Sequence, residues 1–133
     1  FGAPPPDLSL EARLRGPDWV YTYLKSFYVD PDRPWGVNNK VFPDVGMPNV
    51  LASMQGVQVC KGEHCEELEL KTAGSMSPEE FDKAMYDLTN FMAYMGEPSK
   101  MVSDKIGYYV LFFLVILFGF AYALKKEYWK DIH

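Results

Sequence analysis

The sequence is poor in the side chains on which most enzymes depend for catalysis. Histidine occurs only twice in 133 residues, at His64 and His133, and cysteine only twice, at Cys60 and Cys65. No Ser/His/Asp or Cys/His triad and no glycine-rich phosphate loop is recognisable. The formal net charge is -5, which argues against nucleic acid and for a basic partner. The composition therefore argues against a self-contained hydrolase or nucleotide-dependent enzyme.

Charge is absent from one long segment near the end of the chain. No charged side chain occurs from Ile106 to Leu124, and as a helix this segment would span about 28 Å, close to the hydrocarbon thickness of a bilayer. Lysines flank it on both sides, and tyrosine and tryptophan gather near its ends. A domain this small cannot surround such a helix with protein, so we predict a transmembrane anchor.

The anchor divides the chain into three predicted parts. They are an exported domain at residues 1–104, the anchor at 105–125 and a short tail at 126–133. Lys125, Lys126 and Lys130, in the nine residues after Leu124, favour retention of the tail in the cytoplasm. The chain begins at Phe1 with neither an initiator methionine nor a signal peptide. An exported domain needs a targeting signal, so we expect that upstream sequence has been removed.

The cysteine pair does not match the motif that attaches haem. That motif is C-x-x-C-H, whereas four residues separate Cys60 from Cys65, His64 precedes the second cysteine and Glu66 follows it. Three soft ligands are also too few for a closed zinc site, which has four. We favour a disulfide between Cys60 and Cys65, as expected for an exported domain.

Capping and breaking residues predict three helices before the anchor. The first covers 8–14 with Asp7 as its N-cap, and the second covers 19–28 with its aromatic residues on one face. The third runs from Ser77 to Gly96, with a capping box at its start. Its core-facing positions are predicted at helical spacing: Phe81, Ala84, Met85, Leu88, Met92 and Met95.

The segments between these helices read differently. Residues 30–50 are rich in Pro, Gly, Asn and Asp, which predicts a loop. A loop of this length is uncommon inside a compact domain, and where one occurs it more often has a function than not. Residues 57–71 are predicted to form a hairpin around the two cysteines.

Met47 is the residue in the long loop with the clearest chemical interest. Gly46 before it lets a bulky group approach the backbone, and Pro48 after it stiffens the presentation. A thioether is a soft, neutral ligand that suits haem iron and raises its reduction potential. The alternative is that Met47 fills a gap in the core. Arg13 and Arg15 are either solvated helix charges or guanidinium groups that hold a carboxylate, such as a haem propionate.

Several stretches resemble cytochrome c1, in the family's order and spacing. The N-terminal ones are Gly2-Ala-Pro-Pro-Pro-Asp-Leu-Ser9, the arginines Arg13 and Arg15, and Asp18-Trp-Val-Tyr-Thr-Tyr-Leu24. Phe42-Pro-Asp-Val-Gly-Met-Pro48 resembles the segment that delivers the family's axial methionine. The remaining ones are Asp87-Leu-Thr-Asn-Phe-Met-Ala-Tyr-Met-Gly-Glu-Pro98, the single anchor and Lys125-Lys-Glu-Tyr-Trp-Lys130. The Gly-Val-Asn-Asn-Lys-Val-Phe-Pro stretch is most like the bacterial members.

This resemblance implies a mainly α fold: part of a class I c-type cytochrome domain with long loops, followed by one C-terminal transmembrane helix. It implies that Met47, followed by Pro48, is an axial ligand of haem iron. Arg13 is the expected propionate contact, with Arg15 the second candidate, and Trp19 stands where relatives often have a haem-edge tyrosine. The cofactor would be haem c, attached through a C-x-x-C-H segment that these 133 residues do not contain. The chain thus resembles the C-terminal portion of the family.

The implied function is that of an electron-transfer subunit of the cytochrome bc1 complex, the quinol–cytochrome c reductase. Such a subunit passes electrons from the Rieske iron–sulfur protein to a c-type cytochrome and performs no bond chemistry itself. The implied partners are cytochrome b, the Rieske protein, the acceptor cytochrome and the lipid membrane, in a dimeric complex. The implied location is the bacterial inner membrane, with the N-terminal domain periplasmic and the C-terminus cytoplasmic.

Two alternatives account for the same sequence features. A haem-free, single-pass accessory subunit or binding module of a respiratory complex would explain the anchor, the acidity and the missing attachment motif. An anchored enzyme with an unseen cofactor is the other alternative, although the chain offers it few catalytic groups.

Overall fold

The computed structural model describes residues 2 and 4–132, so predictions that involve Phe1, Ala3 or His133 lie outside the described residues. The chain divides into two units, with the boundary between Glu97 and Pro98. Within the described residues, the helices of the first unit are α1 (Glu11–Arg15), α2 (Pro17–Lys25), α3 (Ala52–Gln55) and α4 (Pro78–Gly96). Its strands are β1 (Phe27–Val29), β2 (Val37–Asn39), β3 (Gly56–Lys61) and β4 (Glu67–Ala73), and the second unit contains α5 (Lys100–Trp129). The predicted mainly α fold with one long apolar C-terminal helix is confirmed.

The first helix begins later than predicted, and Asp7 is not its N-cap. α1 starts at Glu11 after Leu10, without a side-chain cap. The carboxylate of Asp7 instead accepts hydrogen bonds from the hydroxyl and the backbone N–H of Ser9, at 2.7 and 2.9 Å, which also hold the pKa of Asp7 below its usual value. This local turn competes with helix formation, so the prediction was wrong at this end.

The second helix ends before its predicted limit. α2 stops at Lys25, and the hydroxyl of Ser26 donates to the carbonyl oxygen of Thr22 at 2.6 Å. Phe27 then pairs with Asn39 in an antiparallel β1–β2 ladder. The prediction of a helix to residue 28 was therefore wrong, because residues 27–29 form hydrogen bonds with a strand about twelve residues further along the chain. The prediction of an unbroken loop at 30–50 was wrong for the same reason, since that strand, β2, lies within it.

The predicted hairpin around the cysteines is confirmed. β3 and β4 are antiparallel, with a register that runs from Gly56 opposite Ala73 to Lys61 opposite Glu67. Gly56 has a positive φ of 97°, and its backbone lies close to the β4 end of the ladder. This is a position where a side chain would collide with backbone.

The capping box predicted for the longest helix of the first unit is confirmed. The Ser77 hydroxyl accepts from the Glu80 N–H at 3.3 Å, and the Glu80 carboxylate accepts from the Ser77 N–H at 3.4 Å. The helix ends at Gly96 as predicted. Met95, predicted to face the core, is 38 % exposed. The buried stripe of the helix passes through Gly96 instead, and Met95 is about 100° around the helix from it.

The hydrophobic core joins α1, α2 and α4. Its buried members are Ala12, Val20, Leu24, Phe81 and Met85. Tyr23, Trp19 and other partly buried side chains of α2 pack against this cluster. The core therefore fixes α2, the helix from which the candidate site is built.

The second unit is one uninterrupted helix. α5 has 30 residues, which corresponds to a length of about 45 Å, and the predicted apolar span from Ile106 to Leu124 lies inside it. None of its described side chains is buried. By length and composition this helix can cross a membrane.

Candidate functional site

A row of aromatic rings begins on α2 and continues beyond it. Trp19 and Tyr23, four residues apart, stack with ring centroids 5.1 Å apart and planes 10° apart. Phe27 packs edge-on against Tyr23 at 5.3 Å, although it lies on β1 and not on the helix. Phe42 approaches Trp19 edge-on at 6.4 Å. Helical spacing places the first pair together, and the β1–β2 turn brings the loop ring to them.

Met47 contacts this row through its sulfur. The Tyr23 hydroxyl donates a hydrogen bond to the Met47 Sδ at 3.3 Å, and both side chains are half-buried. Burial is the main cause that raises the pKa of Tyr23 above its ordinary value, with Arg15 opposing it. The phenol therefore carries its proton at neutral pH and acts as the donor.

Asn39 shapes the start of the segment that carries Met47, which we call the Met47 loop (residues 40–50). Its side chain is 1 % exposed. The Asn39 Oδ1 accepts from the N–H groups of Val41 and Phe42 at 2.9 and 3.2 Å, and its Nδ2 donates to the Tyr23 carbonyl oxygen at 2.7 Å. One buried amide thus fastens the loop to α2.

Asn38 and Arg33 hold the middle of the Met47 loop. The Asn38 Oδ1 accepts from the Asp44 N–H at 2.9 Å, while its Nδ2 donates to Asp30 at 3.0 Å. Arg33 donates to the Asp44 carbonyl oxygen at 2.8 Å and pairs with the Asp44 carboxylate at 3.2 Å. Asp44 has a positive φ of 61°, a conformation that Asp tolerates better than most residues, and Val45 beyond it is buried. These contacts set the turn just before Met47.

The two neighbours of Met47 in the chain have different surroundings. Gly46 is exposed, and a Cβ added to it would meet no atom within 4 Å. Pro48 is half-buried, and its carbonyl oxygen accepts from the Val50 N–H at 3.0 Å. The open space expected at Gly46 is present, and the stiffening expected from Pro48 stays a prediction.

The two predicted arginines have different surroundings. Arg15 lies over the Trp19 ring, with its Cζ 4.5 Å from the centroid and 5.4 Å from that of Phe42, and it pairs with Glu11 at 3.4 Å. Arg13 is exposed, and the described residues offer it no ion pair. Within the described residues its guanidinium has no ion-pair partner, whereas that of Arg15 lies over the aromatic row and pairs with Glu11.

The structure places Cys60 and Cys65 in a disulfide at the end of the β3–β4 hairpin. Their Cα atoms are 4.7 Å apart, and Cys65 has a positive φ of 54°. Lys40 at the start of the Met47 loop donates to the Glu66 carbonyl oxygen just after the bridge. The disulfide therefore stabilises a neighbour of the Met47 loop and contributes no atom to it.

The donor set of this site fits a haem iron. The Met47 thioether is a neutral, soft ligand, and the one hydrogen bond that it accepts leaves a second lone pair on the sulfur. Phe42, which packs edge-on against Trp19, is 39 % exposed and offers apolar contact to a flat ring. The structure thus brings Met47, Pro48, Trp19 and Arg15 into one region, whereas Arg13 lies with its Cβ next to Gly96 of α4.

Sequence reasoning missed four residues of this site. They are Tyr23 as a donor to sulfur, and Arg33, Asn38 and Asn39 as supports of the loop. Adjacent asparagines before a loop are a usable signal, because their amides imitate backbone in turns. No local pattern indicates the partner of Tyr23, which is 24 residues away.

A family model described as the Cytochrome C1 family matches residues 1–132. Cytochrome c1 of Allochromatium vinosum is 53 % identical over 142 residues, which cover 100 % of this chain and 58 % of that protein. The ammonia monooxygenase gamma subunit of Nitrosomonas europaea is 47 % identical over 133 residues, covering 100 % of this chain and 56 % of that protein. The mitochondrial cytochrome c1 heme protein of Schizosaccharomyces pombe is 31 % identical, covering 98 % of this chain and 40 % of that protein. The chain therefore spans between 40 % and 58 % of the length of these three relatives.

Proposed function

The chain belongs to the cytochrome c1 family, and from this premise we propose that it is an electron-transfer subunit of a cytochrome bc1 complex. In that role it passes electrons from the Rieske protein to a c-type cytochrome. It takes part in quinol–cytochrome c reduction and makes or breaks no bond itself. The observation that carries the proposal is the half-buried Met47 sulfur, held by Tyr23 in a loop that side-chain amides fix.

Haem c is the cofactor that this function requires, and when bound it supplies one-electron redox chemistry. Met47 would provide an axial ligand, and the second lone pair on its sulfur supports this role. Trp19 and Pro48 would line the site, and the exposed guanidinium of Arg13 would hold a propionate, with Arg15 as the second candidate. The C-x-x-C-H attachment segment would lie on sequence upstream of these residues.

The proposed domain organisation follows from the helix that can cross a membrane. Residues 1–104 would form the periplasmic domain, 105–125 the anchor and 126–133 the cytoplasmic tail of a single-pass protein in the bacterial inner membrane. The anchor segment carries no charge between Ile106 and Leu124. It would therefore pack against lipid and helices such as those of cytochrome b, and would conduct no protons. The complex would be dimeric.

A second candidate function is a haem-free, single-pass accessory subunit of another membrane complex. The observation that favours it is the relative named ammonia monooxygenase gamma subunit, which is 47 % identical over the whole chain. In that case Met47 would be an ordinary packing residue, and the disulfide and the acidic surface would serve protein contacts alone.

Purification of the intact assembly that contains this chain separates the two functions. We expect a c-type haem that remains covalently bound under denaturing conditions, together with cytochrome b and Rieske centres. An assembly without any c-type pigment would rule out the electron-transfer function and favour the accessory subunit.

Met47→Leu tests the role of the sulfur directly, because leucine keeps most of the volume and removes the thioether. We expect loss of the methionine-to-iron absorption band of the oxidised complex and a lower haem reduction potential. Met54→Leu is the matched control, since Met54 packs against the core cluster, while the sulfur that accepts from the Tyr23 hydroxyl is that of Met47. A Met47→Leu complex with an unchanged spectrum would remove Met47 from the site.

A further inference from the structure

We propose that Tyr23 is a positioning residue for the Met47 thioether, whose hydrogen bond orients the sulfur and raises the reduction potential of the metal that it ligates. This inference rests on the proposed function and adds a determinant of its redox behaviour. The hydroxyl-to-sulfur distance of 3.3 Å is within the range expected when sulfur is the acceptor. Tyr23 touches no metal itself, so it acts through Met47.

Tyr23 is fixed at both ends relative to the Met47 loop. Its backbone carbonyl oxygen accepts from the buried Asn39 amide at 2.7 Å, and its hydroxyl reaches Met47. Stacking on Trp19 and the edge-on contact with Phe27 restrict the rotation of its ring. The position of the Tyr23 hydroxyl relative to the Met47 sulfur is therefore fixed by packing and hydrogen bonds, as it is for preorganised groups in functional sites.

The direction of the effect follows from the electron demand of the metal. A hydrogen bond withdraws electron density from the sulfur, so the thioether becomes a poorer donor. The oxidised metal depends on electron donation from the sulfur more than the reduced metal does. The hydrogen bond therefore destabilises the oxidised state more than the reduced state. The Tyr23 hydroxyl therefore favours the reduced state, as second-shell hydrogen bonds to ligands tune other metal sites.

Tyr23→Phe in the intact complex removes the hydroxyl and keeps the ring. We expect a lower haem midpoint potential, equivalent to about a two- to tenfold shift of the equilibrium toward the oxidised form, the range of one hydrogen bond. The methionine-to-iron band should move or weaken while the haem content is unchanged. Tyr21→Phe is the control, because the Tyr21 hydroxyl accepts from Lys25 and does not touch Met47.

A double-mutant cycle separates an effect through sulfur from a general effect of the ring. In a Met47→Leu background, Tyr23→Phe should no longer change the potential, since the acceptor is gone. Equal shifts in both backgrounds, or no shift in the wild-type background, would overturn the proposal. Because a variant can fail to assemble, the unmodified complex is also measured in H2O and D2O. A methionine-to-iron band that moves on exchange supports the hydroxyl contact, and an identical band contradicts it.

The same measurements distinguish failure of this inference from failure of the proposed function. If the unmodified complex contains no c-type haem or no methionine-to-iron band, the ligand role of Met47 is wrong and the inference falls with it. If the band is present, disappears in Met47→Leu and does not respond to Tyr23→Phe or to deuterium, only the role of Tyr23 is wrong.

Discussion

At the scale of single residues, the buried amide of Asn39 explains the shape of the Met47 loop. Its Oδ1 accepts hydrogen bonds from two N–H groups of the loop, where a backbone carbonyl oxygen would otherwise be needed. Its Nδ2 donates to the Tyr23 carbonyl oxygen and so joins the loop to α2. Part of this site was indicated by the sequence, because Gly46 and Pro48 on either side of Met47 make it a candidate ligand without any knowledge of the fold, a role that stays a prediction. The support provided by Asn39 was not predictable, since its partner on α2 is 16 residues away.

Asn39→Ala tests this support. Two loop N–H groups and the Tyr23 carbonyl oxygen lose their partner in a buried setting, so we expect a loss of about 2–4 kcal/mol in the free energy of unfolding. Denaturant unfolding of the detergent-solubilised protein, followed by tryptophan fluorescence, measures it. Asn49→Ala is the control, because among the described residues the half-buried Asn49 side chain accepts only from the Leu51 N–H, so its loss should cost about 1 kcal/mol or less. Equal costs for the two variants would contradict the role given to Asn39.

At the scale of elements, the predictions succeeded where the signal was local. The capping box of α4 was correct because all its partners lie within four residues, and the β3–β4 hairpin was correct because its cysteines and turn are contiguous. α2 was predicted too long because Phe27 pairs with Asn39 in a β-ladder. No sequence pattern near Phe27 indicates this pairing. The N-cap at Asp7 failed for the opposite reason, since Ser9 offered a still more local partner.

The capping box gives a prediction for α4. Ser77→Ala removes the acceptor of the Glu80 N–H, so we expect a loss of about 1 kcal/mol in the free energy of unfolding. Ser75→Ala is the control: the Ser75 backbone N–H bonds to Ser53, and its side chain bonds to no described residue. The two variants are compared by denaturant unfolding, and a cost for Ser75→Ala as large as that for Ser77→Ala would contradict the prediction.

The β3–β4 hairpin gives a second prediction at this scale. A Cβ on Gly56 would collide with the Thr72 carbonyl oxygen and lie 2.7 Å from the Gly74 nitrogen, and the positive φ adds strain. We expect Gly56→Ala to cost about 3 kcal/mol or more, because the obstacle is backbone and cannot rotate away. Gly62→Ala shares the positive φ but has open space, so it should cost only about 1 kcal/mol. Similar losses in thermal unfolding for the two variants would show that the clash does not decide the effect.

At the scale of the whole molecule, charge is distributed unevenly along the sequence. Residues 1–97 contain 15 acidic and eight basic side chains, a balance of -7, and residues 98–133 contain three acidic and five basic ones, a balance of +2, giving -5 in total. The first unit is thus the acidic one, and the second, which contains the helix that can cross a membrane, has a small positive balance. This distribution suits a basic soluble partner for the first unit.

Salt dependence tests this expectation in the intact complex. Electron transfer to a basic c-type cytochrome should slow by about tenfold between about 50 mM and about 500 mM salt, because screening removes electrostatic steering. An uncharged small-molecule acceptor is the control and should show little dependence on salt. Stopped-flow absorbance measures both rates, and a flat salt profile with the basic partner would contradict a steering role for the acidic unit.

The side-chain contacts that hold the Met47 loop to α2 and β2 also bear on the order of assembly. Tyr23, Arg33, Asn38, Asn39 and Asp44 all precede Met47 in the chain, and the contact with the sulfur closes a segment of 24 residues. Closing a segment of this size carries a modest entropic cost. Every side-chain partner of the Met47 turn is thus already made when Met47 emerges, whereas α2 is held in place only once Phe81 and Met85 of α4 have joined its core, so we expect the turn to become rigid after α4 is complete.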